Sequence, residues 1–411
     1  MKSLEHWNTE QVKQHNRSLV LKMIYKNGPI SKADISKNTN LTFATIGNIT
    51  AELLKIKALK VAGYGESNGG RKPVLYEFNW ENYYVIALDI GVTKVSAGLV
   101  NFKGVIYERY SISMTDFNYQ TTFIEKVYKV IDQLLSETKI EISKIAGIGV
   151  SAPGPIDEDG SQILSPPNLQ GVENVNLKDQ LQQRYNLITI LEKDANAAAL
   201  AEQWFGEVNK NENILYIFAD QGIGGGMIVD SRTYRGFKNG AGEIGHISID
   251  PDGPRCNCGN FGCLEAVASG LSIITRIKKE IRRGGRSSLT DLYLNDEDAL
   301  TLETIMEHGE NGDELVLKVL EETGRYLGIG VTNAINFFAP KMVIFGGQLV
   351  ELYPEIVQIS ENIAKSRAFS TSAKDIKFVK SSFGECSGLM GAASIIQQLL
   401  FDSPGNTLIK L

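Results

Sequence analysis

From Glu10 to Asn27 the apolar residues Val12, Leu19, Val20, Met23 and Ile24 recur at mostly helical spacing, and Gly28-Pro29 ends that run. Ser31, with the acidic Asp34 three positions on, comes close to a capping box and predicts a short helix to about Asn38. Thr42 is placed to cap a third helix whose inner face is Ile46, Ile49, Leu53 and Ile56. Leu59-Lys-Val61 and Val74–Phe78 flank a Gly-rich tip and read as a hairpin. Three helices and a hairpin within residues 1–80 make the arrangement of a winged helix-turn-helix.

After a short linker at 79–83 the period changes from helix to strand. Strands are predicted at Tyr84–Val92, Lys94–Val100 and Ile106–Ile112, then a helix with Phe123, Ile124, Val127, Val130, Ile131, Leu134 and Leu135 on one face. Buried strands at Ile145–Val150 and Leu187–Leu191 precede an alanine-rich helix, Ala195–Phe205. At Asn213 the pattern restarts: strand Ile214–Ala219, a Gly turn at Gly222–Gly226, and a return strand Met227–Val229. This echoes Ala87-Leu-Asp89-Ile-Gly91 followed by Val95–Val100, so two similar lobes with a cleft between them are expected. We divide the chain into residues 1–80, a first lobe at 84–195 completed by a C-terminal helix at about 388–411, and a second lobe at 196–387.

Composition adds a contrast between the ends. Apolar residues make up 43% and charged residues 22% of 411, a globular balance that excludes wholesale disorder. The net charge of -6 hides a split: residues 1–80 hold 12 Lys+Arg against 6 Asp+Glu, the remainder 30 against 42. A basic head on an acidic body suits a head that meets a polyanion. No apolar run follows the N-terminal Met, and the longest uncharged stretch, Tyr326 to Pro340, is shorter than the ~20 residues that cross a bilayer. A soluble, cytoplasmic protein without a membrane partner is expected.

Candidate chemistry lies in four places. The third helix of the head would present Thr42, Phe43, Ala44, Thr45 and Asn48 to the major groove, and Arg71 and Lys72 of the hairpin tip would meet phosphate. His246 precedes Cys256-Asn-Cys258-Gly-Asn-Phe-Gly-Cys263; one imidazole and three thiolates suit tetrahedral Zn²⁺, and with no open position the site reads as structural. Asp194, Glu243, His246 and Glu265 are polar groups able to converge on a polyol, although Asp194 also reads as a helix N-cap, Glu243 as a solvated loop residue and Glu265 as a salt-bridge partner. The turns Asp89-Ile-Gly91-Val-Thr93 and Gly222-Ile-Gly224-Gly-Gly226 are weak phosphate-loop signals.

Taken together, Gly69-Gly-Arg-Lys-Pro73 after a winged helix, Asp194-Ala-Asn-Ala-Ala-Ala-Leu-Ala-Glu202, Gly242-Glu-Ile-Gly-His246 and the run from Cys256 to Glu265 resemble the ROK family (repressors, open reading frames, kinases), in its xylose-repressor-like branch. The resemblance covers essentially the whole chain. It implies an α/β fold: a winged helix-turn-helix followed by an actin-like (ribonuclease H-like) two-lobed domain of sugar-kinase type. It also implies zinc on His246, Cys256, Cys258 and Cys263, and a sugar site at Asn168, Asp194, Glu243, His246 and Glu265. Family kinases use the residue matching Asp194 as general base. Here Val92 and Gln221 replace a glycine and a threonine of the phosphate loops, and Lys193 replaces the asparagine before Asp194. These departures degrade the ATP site and modify the sugar site, of which Lys193 is the sixth candidate residue. The expectation is therefore a homodimer (or dimer of dimers) that represses carbohydrate-utilisation genes in response to a monosaccharide or sugar phosphate. The alternatives are an ATP-dependent sugar kinase with Asp194 as base, and a protein-docking platform.

Overall fold

The computed structural model describes residues 8–66, 71–114, 120–169, 171–208, 212–369, 371–402 and 404. Asn8 opens helix α1 (Thr9–Asn27) with a full capping box: its side chain accepts from the Gln11 amide, and the Gln11 side chain accepts in return. A two-residue strand β1 (Ile30–Ser31), which periodicity does not reveal, leads into α2 (Lys32–Thr39); Ser31 caps α2 by accepting from the Asp34 amide. Thr42 caps α3 (Phe43–Lys55) in the same way, with Ile46, Ile49, Thr50 and Leu53 buried. Ile56 falls one residue past the helix and is only partly covered. Strands β2 (Leu59–Tyr64) and β3 (Val74–Phe78) pair as the expected hairpin, and β1 joins them in a sheet of order β1-β3-β2. The tip at 67–70 lies outside the described residues.

The segment at 79–83 is no loose tether. Tyr83 is buried, and its hydroxyl donates to the Ile56 carbonyl. Beyond it come β4 (Tyr84–Ile90), β5 (Lys94–Asn101), β6 (Ile106–Ser113), α4 (Gln120–Glu137), β7 (Ile145–Ala152), α5 (Leu177–Tyr185) and β8 (Thr189–Lys193). They form a five-stranded sheet of order β6-β5-β4-β7-β8. Helix α6 (Asp194–Phe205) leads to β9 (Ile214–Ala219), β10 (Ile223–Val229) and β11 (Arg232–Thr233). Next are α7 (Leu264–Ala268), α8 (Gly270–Arg282), α9 (Thr290–Asn295), α10 (Leu302–Glu310) and the long α11 (Glu314–Phe338). The chain ends with β12 (Met342–Gly346), α12 (Gln348–Leu352), α13 (Glu355–Arg367), β13 (Lys377–Lys380) and α14 (Ser387–Asp402).

The second sheet, β11-β10-β9-β12-β13, repeats the first strand for strand, with an antiparallel meander followed by two parallel additions. The internal echo seen in the sequence is thus a real topological repeat, within a mixed α/β fold of two lobes. One expectation is corrected: Gly224–Gly226 are not in the turn but inside β10. The reason is packing, because a Cβ on Gly226 would lie 2.0 Å from the Ala195 carbonyl oxygen of α6.

Helix α14 packs on the first sheet, α6 on the second, and the two helices on each other. Both begin at the cleft and run the same way. A Cβ on Gly391 would sit 2.7 Å from the Ala197 carbonyl carbon, and further along Trp204 donates to Gln398 Oε1 at 2.9 Å. Their far ends meet the N-terminal module. Tyr25 of α1 stacks edge-on against Phe78, Trp80, Trp204 and Phe401, accepts from Gln397 Nε2 at 2.6 Å and donates to the Phe102 carbonyl at 3.2 Å. Among the described residues no helix is long and apolar enough to cross a membrane.

Candidate ligand cleft and metal centre

Each sheet delivers a carboxylate to the gap between the lobes. Asp89 lies near the end of β4, and Asp220 follows β9 at the matching place in the second repeat. Between them is a cavity of about 310 Å³, small-ligand size, lined by Asn168, Lys193, Asp194, Glu243, His246 and Glu265. All six sugar-site candidates therefore face one cleft. In the sequence Asp89 stands out only as the start of a glycine turn, and Asp220 does not stand out at all. Aligning the two repeats reveals them, since each first strand leads into an aspartate just ahead of a glycine.

Local structure places each group. Asp194 is the first residue of α6, and Lys193 holds the N-cap position without a side-chain bond, which corrects the N-cap reading of Asp194. Asp194 Oδ1 accepts from the Ala195 amide at 2.6 Å. Burial pushes its carboxyl up to about 7, the neighbouring Asp89 and Glu243 add to that, and the Ala195 amide and Lys193 oppose it. Asp89 is likewise raised by burial, to about 6, and Asp220 is raised by burial. Glu243 and His246 bracket a single 3₁₀ turn, Ile244–His246, which sets them on one wall. Glu265 is 8% exposed in the first turn of α7, and its Oε2 accepts from the Ile223 amide at 2.9 Å. Asn168 Oδ1 accepts from Asn257 at 2.8 Å, joining the first lobe to the cysteine loop.

The cysteine loop closes on itself through Ser248 Oγ to the Phe261 carbonyl and the Cys256 amide to the Asn260 carbonyl, both 2.8 Å. Ligand atoms of His246, Cys256, Cys258 and Cys263 all lie within 4.8 Å of one another. Cys258 and Cys263 sulfurs are 3.8 Å apart, and His246 Nδ1 is 3.7 Å from the Cys256 sulfur. A tetrahedron with 2.3 Å Zn–S bonds has edges of about 3.8 Å, so the donor set and its spacing both fit Zn²⁺. The cysteines are not disulfide-bonded. Cys263 is also the N-cap of α7, so the cysteine loop fixes where Glu265 stands.

The other half of the cavity is lined by Gly91–Lys94, Gln221, Glu303, Gln348 and Glu385. On the N-terminal module, Thr42, Phe43, Ala44 and Asn48 are exposed at the start of α3, Phe43 at 61%, and Thr45 is partly exposed. Arg71 and Lys72 are exposed beside the undescribed tip.

Comparison with known proteins matches residues 85–399 to the ROK family. The xylose repressor of Caldicellulosiruptor bescii is 33% identical over 392 residues, covering 95% of this chain and 97% of that one. A ROK family transcriptional regulator, homologue of the E. coli MLC protein, superposes with a TM-score of 0.82 at 27% identity, over 97% of this chain and 98% of the other. A ROK family glucokinase from Streptomyces griseus, crystallised with glucose and AMPPNP, gives 0.68 at 26% identity; it covers 77% of this chain, and 99% of it is matched.

Proposed function

The chain belongs to the ROK family, and from that premise we propose that it is a sugar-responsive transcriptional repressor of carbohydrate-utilisation genes. The observation that carries this reading is the pairing of two modules. A polar cleft gathers Asn168, Asp194, Glu243, His246 and Glu265, and a basic three-helix head is packed against the helices that leave that cleft. The head is a winged helix-turn-helix that reads operator DNA through Thr42, Phe43, Ala44, Thr45 and Asn48, with Arg71 and Lys72 on phosphate. It acts as a homodimer or dimer of dimers on paired half-sites. The metal is a structural Zn²⁺ held by His246, Cys256, Cys258 and Cys263; its role is to brace the loop that presents His246 and Glu265.

The effector class follows from charge. Asp89, Asp194, Asp220, Glu243 and Glu265 face the cavity against two lysines, Lys94 and Lys193, and the Lys193 ammonium is already engaged by Glu243. Uncharged sugar hydroxyls offer donors to these acceptors, whereas a phosphorylated sugar adds like charge. A neutral monosaccharide fits best. It shifts operator affinity to the extent that it binds one lobe arrangement better than the other.

The Asp194 carboxyl, raised to about 7, is poised as a general base and favours a kinase as the second reading. Against it, Val92 and Gln221 stand in the phosphate loops, and on that side of the cavity the carboxylates Asp220, Glu303 and Glu385 outnumber the one ammonium, Lys94. One experiment separates the two readings. The full-length chain is used to select duplexes from a random pool, screened for binding to a monosaccharide panel, and assayed for ATP consumption with the same sugars. We expect selected duplexes, sugar-dependent release or retention, and no turnover. Absence of any bound duplex together with Asp194-dependent turnover would overturn the repressor reading.

A further inference from the structure

Lys193 is 6% exposed, an unusual burial for an ammonium on a cleft wall. Its stem lies across Gly154, where a Cβ would come within 2.8 Å of Lys193 Cδ. Its Nζ donates to the Ala241 carbonyl at 2.6 Å and to Glu243 Oε1 at 2.7 Å. Lys193 ends β8 of the first sheet, whereas Ala241 and Glu243 lie on the segment that leaves the second sheet after β11. The pair therefore bridges the two lobes directly. It heads a row of similar bridges: Arg235 to Glu192, Asn239 Nδ2 to the Asp157 carbonyl, and Asn257 to Asn168.

Glu243 is 46% exposed at its side chain, so water competes for its carboxylate, and a free glutamate there would sample several rotamers. The buried ammonium removes that freedom, because it cannot lose its acceptors without stranding a charge. We infer that Lys193 is a positioning residue for the ligand: it holds Glu243 by Oε1 and leaves the other carboxylate oxygen to accept from a ligand hydroxyl. It also straps the 237–246 segment to the first lobe. The inference rests on the sugar-cleft reading above.

The test uses the full-length, zinc-loaded chain with Lys193→Met, which keeps the stem and removes the charge, together with Glu243→Gln and the double variant. Calorimetric titration with D-xylose, D-glucose and N-acetyl-D-glucosamine gives the affinities; hydrogen exchange without sugar reports on amides 237–246. We expect K193M to weaken the bound sugar at least tenfold and to speed exchange in that segment at least fivefold. The double variant should be within about twofold of E243Q, the non-additivity of two residues acting as one unit. An affinity for K193M within twofold of the parent, or additive losses in the double variant, overturns the positioning role. If the parent binds none of the three sugars, the cleft reading fails instead, and exchange alone decides the strap: unchanged protection in K193M refutes it.

Discussion

Asp194 has its ordinary value of 3.8 in the unfolded chain and about 7 in the fold, chiefly through burial. An acid whose folded value is the higher one holds its proton better in the native state. Stability therefore falls as pH rises between these values, and the cost is complete above about 7. Asp194→Asn keeps the oxygen that accepts from the Ala195 amide and removes the charge. The variant should be more stable than the parent by roughly 2–4 kcal/mol at pH 8, a gain that vanishes near pH 4. Denaturant melts across that range check it; a constant difference would mean that the carboxylate is not strained by its surroundings. The same variant should lose sugar binding at pH 8, which would mark Asp194 as a residue kept for function at the expense of stability.

At the scale of elements, the cysteine loop and the head make separate predictions. Cys263→Ser removes one of the four candidate metal ligands, at the residue where the helix that carries Glu265 begins. It should abolish the single bound zinc, lower Tm by roughly 5 °C or more, and reduce sugar affinity; metal analysis, melting curves and titration test this in one preparation. Arg71→Ala with Lys72→Ala should weaken binding to all duplexes alike and lower the slope of log K against log salt by up to about 2. An unchanged slope would remove the hairpin from the phosphate contacts. Much of this level was legible in the sequence, because capping pairs such as Ser31–Asp34, a Cys-x-Cys-Gly run and alternating strands are local signals. The glycines of β10 read as a turn in the sequence because their reason, the carbonyl of Ala195 on α6, is 31 residues away in the chain. β1 is invisible in the sequence since two residues carry no periodicity, and Lys193 stands out there as unusual while its pairing with Glu243 exists only once the lobes are in place.

For the whole molecule, the question is how occupancy of the cleft reaches the head. Tyr25 lies where α1 meets α6 and α14, with its hydroxyl engaged by Gln397 and the Phe102 carbonyl. Tyr25→Phe keeps the ring contacts and removes both bonds. It should cost roughly 1–3 kcal/mol of stability, because buried Gln397 and the Phe102 carbonyl lose a partner, and shrink the sugar-induced change in operator affinity, while leaving sugar affinity itself within twofold. Paired titrations and mobility shifts separate these effects; an undiminished response would move the coupling elsewhere. The absence of slack between Gly391 and Ala197 adds a mechanical consequence. Two rods wedged that tightly cannot slide past each other, so they swing together. Over the roughly 16 Å of α14 beyond Gly391, a swing of about 5° moves the distal tip by about 1.4 Å, the size of shift by which packed helices toggle between discrete arrangements. A sub-ångström adjustment around a sugar would thus arrive at the DNA side enlarged, as the stroke of a lever pivoted on a glycine.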